Sequence, residues 1–173
     1  MNSTFMPLIP NSSNPMGFPN YRPTALCNTI HKITSKIIAN RLKGFLSNNI
    51  SVEQHGFLKG RSIHDVVATT QEVIHSIHSS KLEALIMKVD LFKAYDCVDW
   101  SFIGLVLLKV GISLQNIRWV MACITSMSYA VLINGIPSQF FKVERGLHQG
   151  CALSPLIFIL IMDVFSKLLQ MET

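Results

Sequence analysis

The spacing of apolar positions changes several times along the chain, and each change predicts an element. From Ile30 to Leu46 they fall at Ile30, Ile33, Ile37, Ile38, Leu42, Phe45 and Leu46. That is the spacing of one helix face, and Lys32, Lys36 and Lys43 share another. Ser62 followed by Asp65 resembles a capping box and opens a second helix with Ile63, Val66, Val67, Val73, Ile74 and Ile77 in phase. Residues 84–90, Ala-Leu-Ile-Met-Lys-Val-Asp, are a short apolar run ending in a carboxylate, which predicts a buried strand delivering Asp90 to a sheet edge. Asp99 can cap a helix stopping at Gly111, and Ser113 can cap the next. Tyr129 to Ile133, the pair Asn134-Gly135 and a second run to Val143 predict a β-hairpin. Ser154-Pro155 starts a last helix that is apolar nearly all round. Residues 1–20 hold Pro7, Pro10, Pro15 and Pro19 among Asn, Ser and Gly, and read as an extended lead-in rather than a regular element.

Helices and strands alternating in this way predict an α/β (α+β) fold, and 173 residues suit one domain or part of a larger one. Only 14% of residues are charged against roughly 25% in an average domain, and 49% are hydrophobic, so disorder is excluded for most of the chain. Residues 119–141 carry no Asp, Glu, Lys or Arg. Asn134, Gly135, Pro137 and Gln139 interrupt them, however, and Asp163 and Lys167 interrupt the last helix, so both read as core and no membrane span is expected. The four cysteines are scattered with no C-x-x-C pair, and the N-terminus lacks a charged and apolar leader, which together predict an intracellular chain with reduced thiols.

The net charge of +5 is unevenly spread. Residues 1–61 contain Arg22, Lys32, Lys36, Arg41, Lys43, Lys59 and Arg61 against Glu53 alone, whereas the remainder is close to neutral. A basic first third points to a polyanionic partner such as nucleic acid. The chain has no G-x-x-x-x-G-K-[ST], G-x-G-x-x-G, H-E-x-x-H or G-x-S-x-G, which removes the cheapest signatures of several enzyme classes. His75 and His78 have no third ligand nearby and read as solvated.

The informative segment is residues 88–100, Lys-Val-Asp-Leu-Phe-Lys-Ala-Tyr-Asp-Cys-Val-Asp-Trp, which resembles motif A of reverse transcriptases. Residues 145–155, Arg-Gly-Leu-His-Gln-Gly-Cys-Ala-Leu-Ser-Pro, resemble their motif B. Upstream, residues 21–28 resemble the family's F-R-P-I-S-L stretch and residues 54–61 its Q-x-G-F-x-x-G-R block. The combination is similar to the reverse transcriptase domain of non-LTR (LINE-type) retrotransposons, over about residues 7–170.

The resemblance implies a partial right-hand polymerase fold, with fingers at about 21–83 and the first half of the palm at about 84–173, after the 1–20 lead-in. It implies an RNA-directed DNA polymerase that extends a DNA primer on an RNA template with dNTPs, using two Mg²⁺ ions held by hard oxygen ligands. Asp90 would be the catalytic carboxylate and, with the main-chain carbonyl of Leu91, a metal ligand. Tyr95 would lie under the incoming sugar, Arg22 on the triphosphate, and Gln149 and Gly150 beside the nascent base pair. Lys32, Lys36, Lys43, Lys59 and Arg61 would contact nucleic acid. Asp96 and Asp99 read as turn and cap residues, and Trp100 reads as a core aromatic.

Departures from the family pattern change the expectation. Asn11 stands where the family has lysine, and His148 where arginine is common, which removes two phosphate-facing charges or makes them pH-dependent. Motif C, an aromatic-Ala-Asp-Asp hairpin with the other metal-binding carboxylates, is not found: the sequence has no Asp-Asp pair. These 173 residues are therefore expected to be inactive alone and to present an unpaired apolar edge. The rival reading is a non-catalytic nucleic-acid-binding remnant of a retroelement.

Overall fold

The computed structural model describes residues 2–17, 20–25, 27–58, 60–148 and 150–171; of Asn2, Arg22 and Met171 it describes the backbone. The elements are β1 (Asn2–Pro10), β2 (Tyr21–Pro23), α1 (Thr29–Asn49), α2 (Ile63–Ser80), α3 (Ala94–Cys97), α4 (Trp100–Lys109), α5 (Leu114–Thr125), β3 (Met127–Ile133), β4 (Ile136–Pro137), β5 (Phe141–Lys142) and α6 (Ser154–Met171). This is the mixed α/β architecture expected.

Local sequence explains most of the boundaries. Asn28 caps α1 by accepting the His31 N–H, Asp99 caps α4 by accepting from Ser101 and Phe102, and Ser113 caps α5 through Asn116. Each satisfies N–H groups that a helix start leaves without a partner. Asn134 and Gly135 both take positive φ, 50° and 83°, the backbone of the tight turn that joins β3 to β4.

The first strand corrects the reading of residues 1–20 as irregular. β1 runs parallel to β3, with Asn2 opposite Met127 and Pro7 opposite Leu132, and its last residues pair antiparallel with β2. Residues 2–7 of β1 pair with β3 and residues 8–10 with β2, and the changeover falls at Pro7, whose carbonyl accepts from the Thr24 N–H at 3.1 Å. A proline, which cannot donate to a ladder, is tolerated in such an arrangement. The sheet order is β2-β1-β3-β4, with β5 also paired to β3.

The main core lies between α1, α4, α5 and α6, around Leu42, Leu46, Leu107, Val120, Leu156, Ile157 and Leu160. A smaller cluster of Cys27, Met127 and Tyr129 sits on the sheet. The buried face of α1 is His31, Ser35, Ala39, Leu42 and Leu46, not the Ile30-Ile33-Ile37 face expected; those three isoleucines are exposed. Ser35 and Ala39 are small enough for α1 to pack closely on its neighbours, which turns the larger isoleucines outward.

Two further expectations change. α2 forms over the expected residues but buries none of them. Residues 82–91 form no strand and are exposed, because an extended run becomes a strand only when a partner completes its ladder, and no described strand pairs with it. Among the described residues no helix is long and apolar enough to cross a membrane.

Candidate functional site

The turn after residue 92 and the loop before α6 are joined backbone to backbone. The Gly146 N–H donates to the Val98 carbonyl and the Leu147 N–H to the Tyr95 carbonyl, each at 2.7 Å. The Trp100 indole N–H closes the junction on the Gly146 carbonyl at 2.8 Å. Gly146 is required there. Its φ is +93°, and a Cβ would lie 3.0 Å from the Asp96 carbonyl oxygen and 3.2 Å from its Cα. Above this clamp the Tyr95 ring stacks on Phe158 of α6, with centroids 4.5 Å apart.

An open cleft of about 760 Å³ lies at the junction. Asp96 and Asp99 border it on the α3 side, Lys142 and Glu144 at β5, Arg145 to His148 along the loop, and Pro23 at the end of β2. Asp99 is engaged as the α4 cap and also accepts from the Ser101 hydroxyl. These bonds, the Ser101 hydroxyl first, hold its carboxyl below the usual carboxylate range, and Arg145 adds to the effect.

His148 sits in the wall of this cleft and is buried. Its Nε2 bonds the Ile124 carbonyl, so that nitrogen carries the proton, and its Nδ1 is left to accept from the Tyr129 hydroxyl. Ser154 donates to the His148 carbonyl at 2.7 Å. Burial pushes the imidazole pKa below its ordinary value, and burial pushes the Tyr129 phenol up. His148 is thus a neutral structural group, and the positive charge an arginine would bring to this position is absent.

Of the expected site residues, Tyr95 lies at the clamp. Asp90 and Leu91 do not join it: both are exposed on the unpaired segment. Arg22 lies on β2 beside Ile9. Gln149 and Lys59 fall outside the described residues. Gly150 takes φ +86°, 3.4 Å from the Ala25 carbonyl measured from the Cβ it lacks, and it lines a groove with Lys32 and Lys36. Lys43 is exposed on the same flank of α1. The guanidinium of Arg61 is engaged elsewhere, donating to the carbonyls of Ser51, Gln54 (2.6 Å) and Ile50 (3.1 Å). This braces the end of α1 and leaves fewer donors for a phosphate.

Sequence reasoning missed Gly146 and the Trp100 indole as the parts that join the two motifs. A glycine whose neighbours are all larger is the one available signal. Among the described residues no three His, Cys, Asp or Glu side chains gather where they could hold a metal ion. One exposed carboxylate at Asp90 does not fit a divalent-cation site by itself.

The reverse transcriptase (RNA-dependent DNA polymerase) family matches residues 9–173. The chain belongs to this family. The match takes in both motifs and the clamp between them. Among similar proteins, the reverse transcriptase domain here is 29% identical over 163 residues to the uncharacterized 149 kDa protein of transposon TX1 from Xenopus laevis, covering 94% of this chain and 12% of the relative. It is 24% identical over 168 residues to the retrovirus-related Pol polyprotein from type-1 retrotransposable element R2 of Popillia japonica, covering 94% of the chain and 22% of the relative. It is 26% identical over 170 residues to that of type-2 element R2DM from Drosophila melanogaster, covering 98% and 16%. The kinship with LINE-type elements read from the motifs agrees with these relatives. The chain spans less than a quarter of the length of each of the three.

Proposed function

We propose that these residues are the fingers, at about 21–83, and the first half of the palm, at about 84–173, of a LINE-type RNA-directed DNA polymerase acting on an RNA template, a DNA primer and dNTPs. The observation that carries this reading is the clamp at Gly146, which brings the motif A turn and the motif B loop to one cleft in a chain of this family. On this reading Tyr95, fixed by its stack on Phe158, bears on the sugar. Arg22 neutralises the triphosphate, and Gln149 and Gly150 approach the base pair. Lys32, Lys36 and Lys43 carry the backbone of the nucleic acid, joined by Lys59; Arg61 supports that surface from behind. Enzymes of the family use divalent metal ions. On this reading Asp90 and the Leu91 carbonyl would be this chain's contribution to holding Mg²⁺, and the remaining ligands would come from a motif C, which these 173 residues do not contain.

The 173 residues alone are therefore proposed to bind nucleic acid without extending it. Primer extension on an RNA template with Mg²⁺ and dNTPs should give no product above an Asp90→Ala control; product that disappears in that control would overturn the proposal of inactivity. A non-catalytic binding remnant is the second reading, favoured by the exposed, isolated position of Asp90. On either reading binding should fall steeply with salt and weaken when Lys32, Lys36 and Lys43 become Glu. Binding indifferent to both changes would sink the two together.

A further inference from the structure

A groove that the motifs do not account for runs between α1 and α5. One part, about 340 Å³, lies between Arg41 and Phe45 of α1 and Asn116 of α5. A second, about 630 Å³, continues past Thr34 towards the start of α1. Ile38 and Trp119 line both, so the two form one groove with Trp119 midway. Trp119 is 46% exposed, although an indole gains more than most side chains from being covered.

Arg41 is the one Lys or Arg that lines the groove, and no Asp or Glu lines it. Neither helix holds an Asp or Glu at all, while α1 adds Lys32, Lys36 and Lys43 on its other flank and α5 adds Arg118. Among the described residues the one ion pair is Lys167 with Asp163 on α6, so Arg41 meets no described carboxylate. An apolar helix laid in the groove would cover Trp119 but offer nothing to this field. A strand of unpaired nucleic acid does both, because every base has an apolar face and every nucleotide a phosphate.

We propose that the groove between α1 and α5 is a binding track for single-stranded nucleic acid, with a base stacked on Trp119 and a backbone phosphate on Arg41. It rests on the reading that this chain handles nucleic acid, and adds a contact on the flank of α1 away from Lys32, Lys36 and Lys43.

The test uses the 173-residue chain, a fluorescein-labelled single-stranded 12-nucleotide RNA for anisotropy, and the same RNA unlabelled for tryptophan emission, over a range of salt. Binding should quench tryptophan emission, and Trp119→Leu should abolish the quench and weaken affinity at least about fivefold. Arg41→Gln, at an exposed position, should weaken binding and lower the slope of log affinity against log salt by about one. Lys32, Lys36 and Lys43 changed together to Gln should lower affinity yet leave the quench at saturation. Unchanged affinity in both Trp119→Leu and Arg41→Gln would overturn the track while leaving the proposed function standing. No binding by the unaltered chain at low salt would overturn both. Loss of self-association in Trp119→Leu with affinity intact would make the groove a protein interface, and the proposal wrong.

Discussion

At the scale of single residues, the most consequential arrangement is the buried chain from the Tyr129 hydroxyl through His148 to the Ile124 carbonyl. Tyr129→Phe removes the donor to a buried ring nitrogen and leaves it without that bond. The expected cost is about 1–3 kcal/mol, read as a lower urea midpoint with unchanged slope. The same chain sets a pH dependence. Burial holds His148 and His31 below the ordinary histidine value of 6.5, so above that pH both are neutral whether folded or unfolded, and their contribution is complete. Below it the unfolded chain takes up protons that the folded one refuses, and stability falls as the pH descends through the folded values. Asp163 acts lower on the scale. Burial alone raises its carboxyl, but the Lys167 and Ser51 hydrogen bonds together bring it below 3.8, so its contribution is present above 3.8 and lost in stronger acid. Thermal melting against pH should show a decline beginning near 6.5 and a second, separate one below about 3.8.

Among the elements, those written in local chemistry were the legible ones. The caps at Ser62, Asp99 and Ser113 and the Asn134-Gly135 turn needed no knowledge of the rest of the molecule, and they stand where the sequence places them. What distant packing decides was less legible. The phase of α1 turned on how closely Ser35 and Ala39 let it approach its neighbours, and β1 became a strand because β3 lies alongside. Of the candidate site, Tyr95 and Gly150 were read from motifs and lie at the clamp and at the groove beside Lys32. The junction through Gly146 and Trp100 was not read, since it is made of backbone groups that any residue carries. Arg61 carries an element-scale prediction: with three donors on the loop after α1, Arg61→Ala should lower stability by about 1–3 kcal/mol. Nucleic-acid affinity at fixed salt should change less than in any of the α1 lysine variants.

Across the whole molecule, apolar surface is unevenly covered. Leu85 and Phe92 are 87% and 84% exposed, and Ile86, Met87 and Val89 between them are also open. α2 beside this segment buries nothing. Such a run, able to extend and lacking a ladder, invites pairing with another chain. The 173-residue chain should therefore self-associate as its concentration rises in sedimentation velocity, and Ile86→Lys with Val89→Lys should shift it towards the monomer. Sedimentation as a single monomeric species at high concentration would contradict this.

The parallel pairing of β1 with β3 also bears on how the protein is made. β1 leaves the ribosome well before β3 and ends up inside the sheet, opposite residues that begin at Met127. At about 5–20 residues per second, β1 waits on the order of ten seconds before its partner is synthesised. Contacts that close so long a loop form late and slowly. β1 is therefore made earlier than its partner and folds late, dependent during synthesis on whatever else keeps Phe5 and Ile9 from the wrong partner.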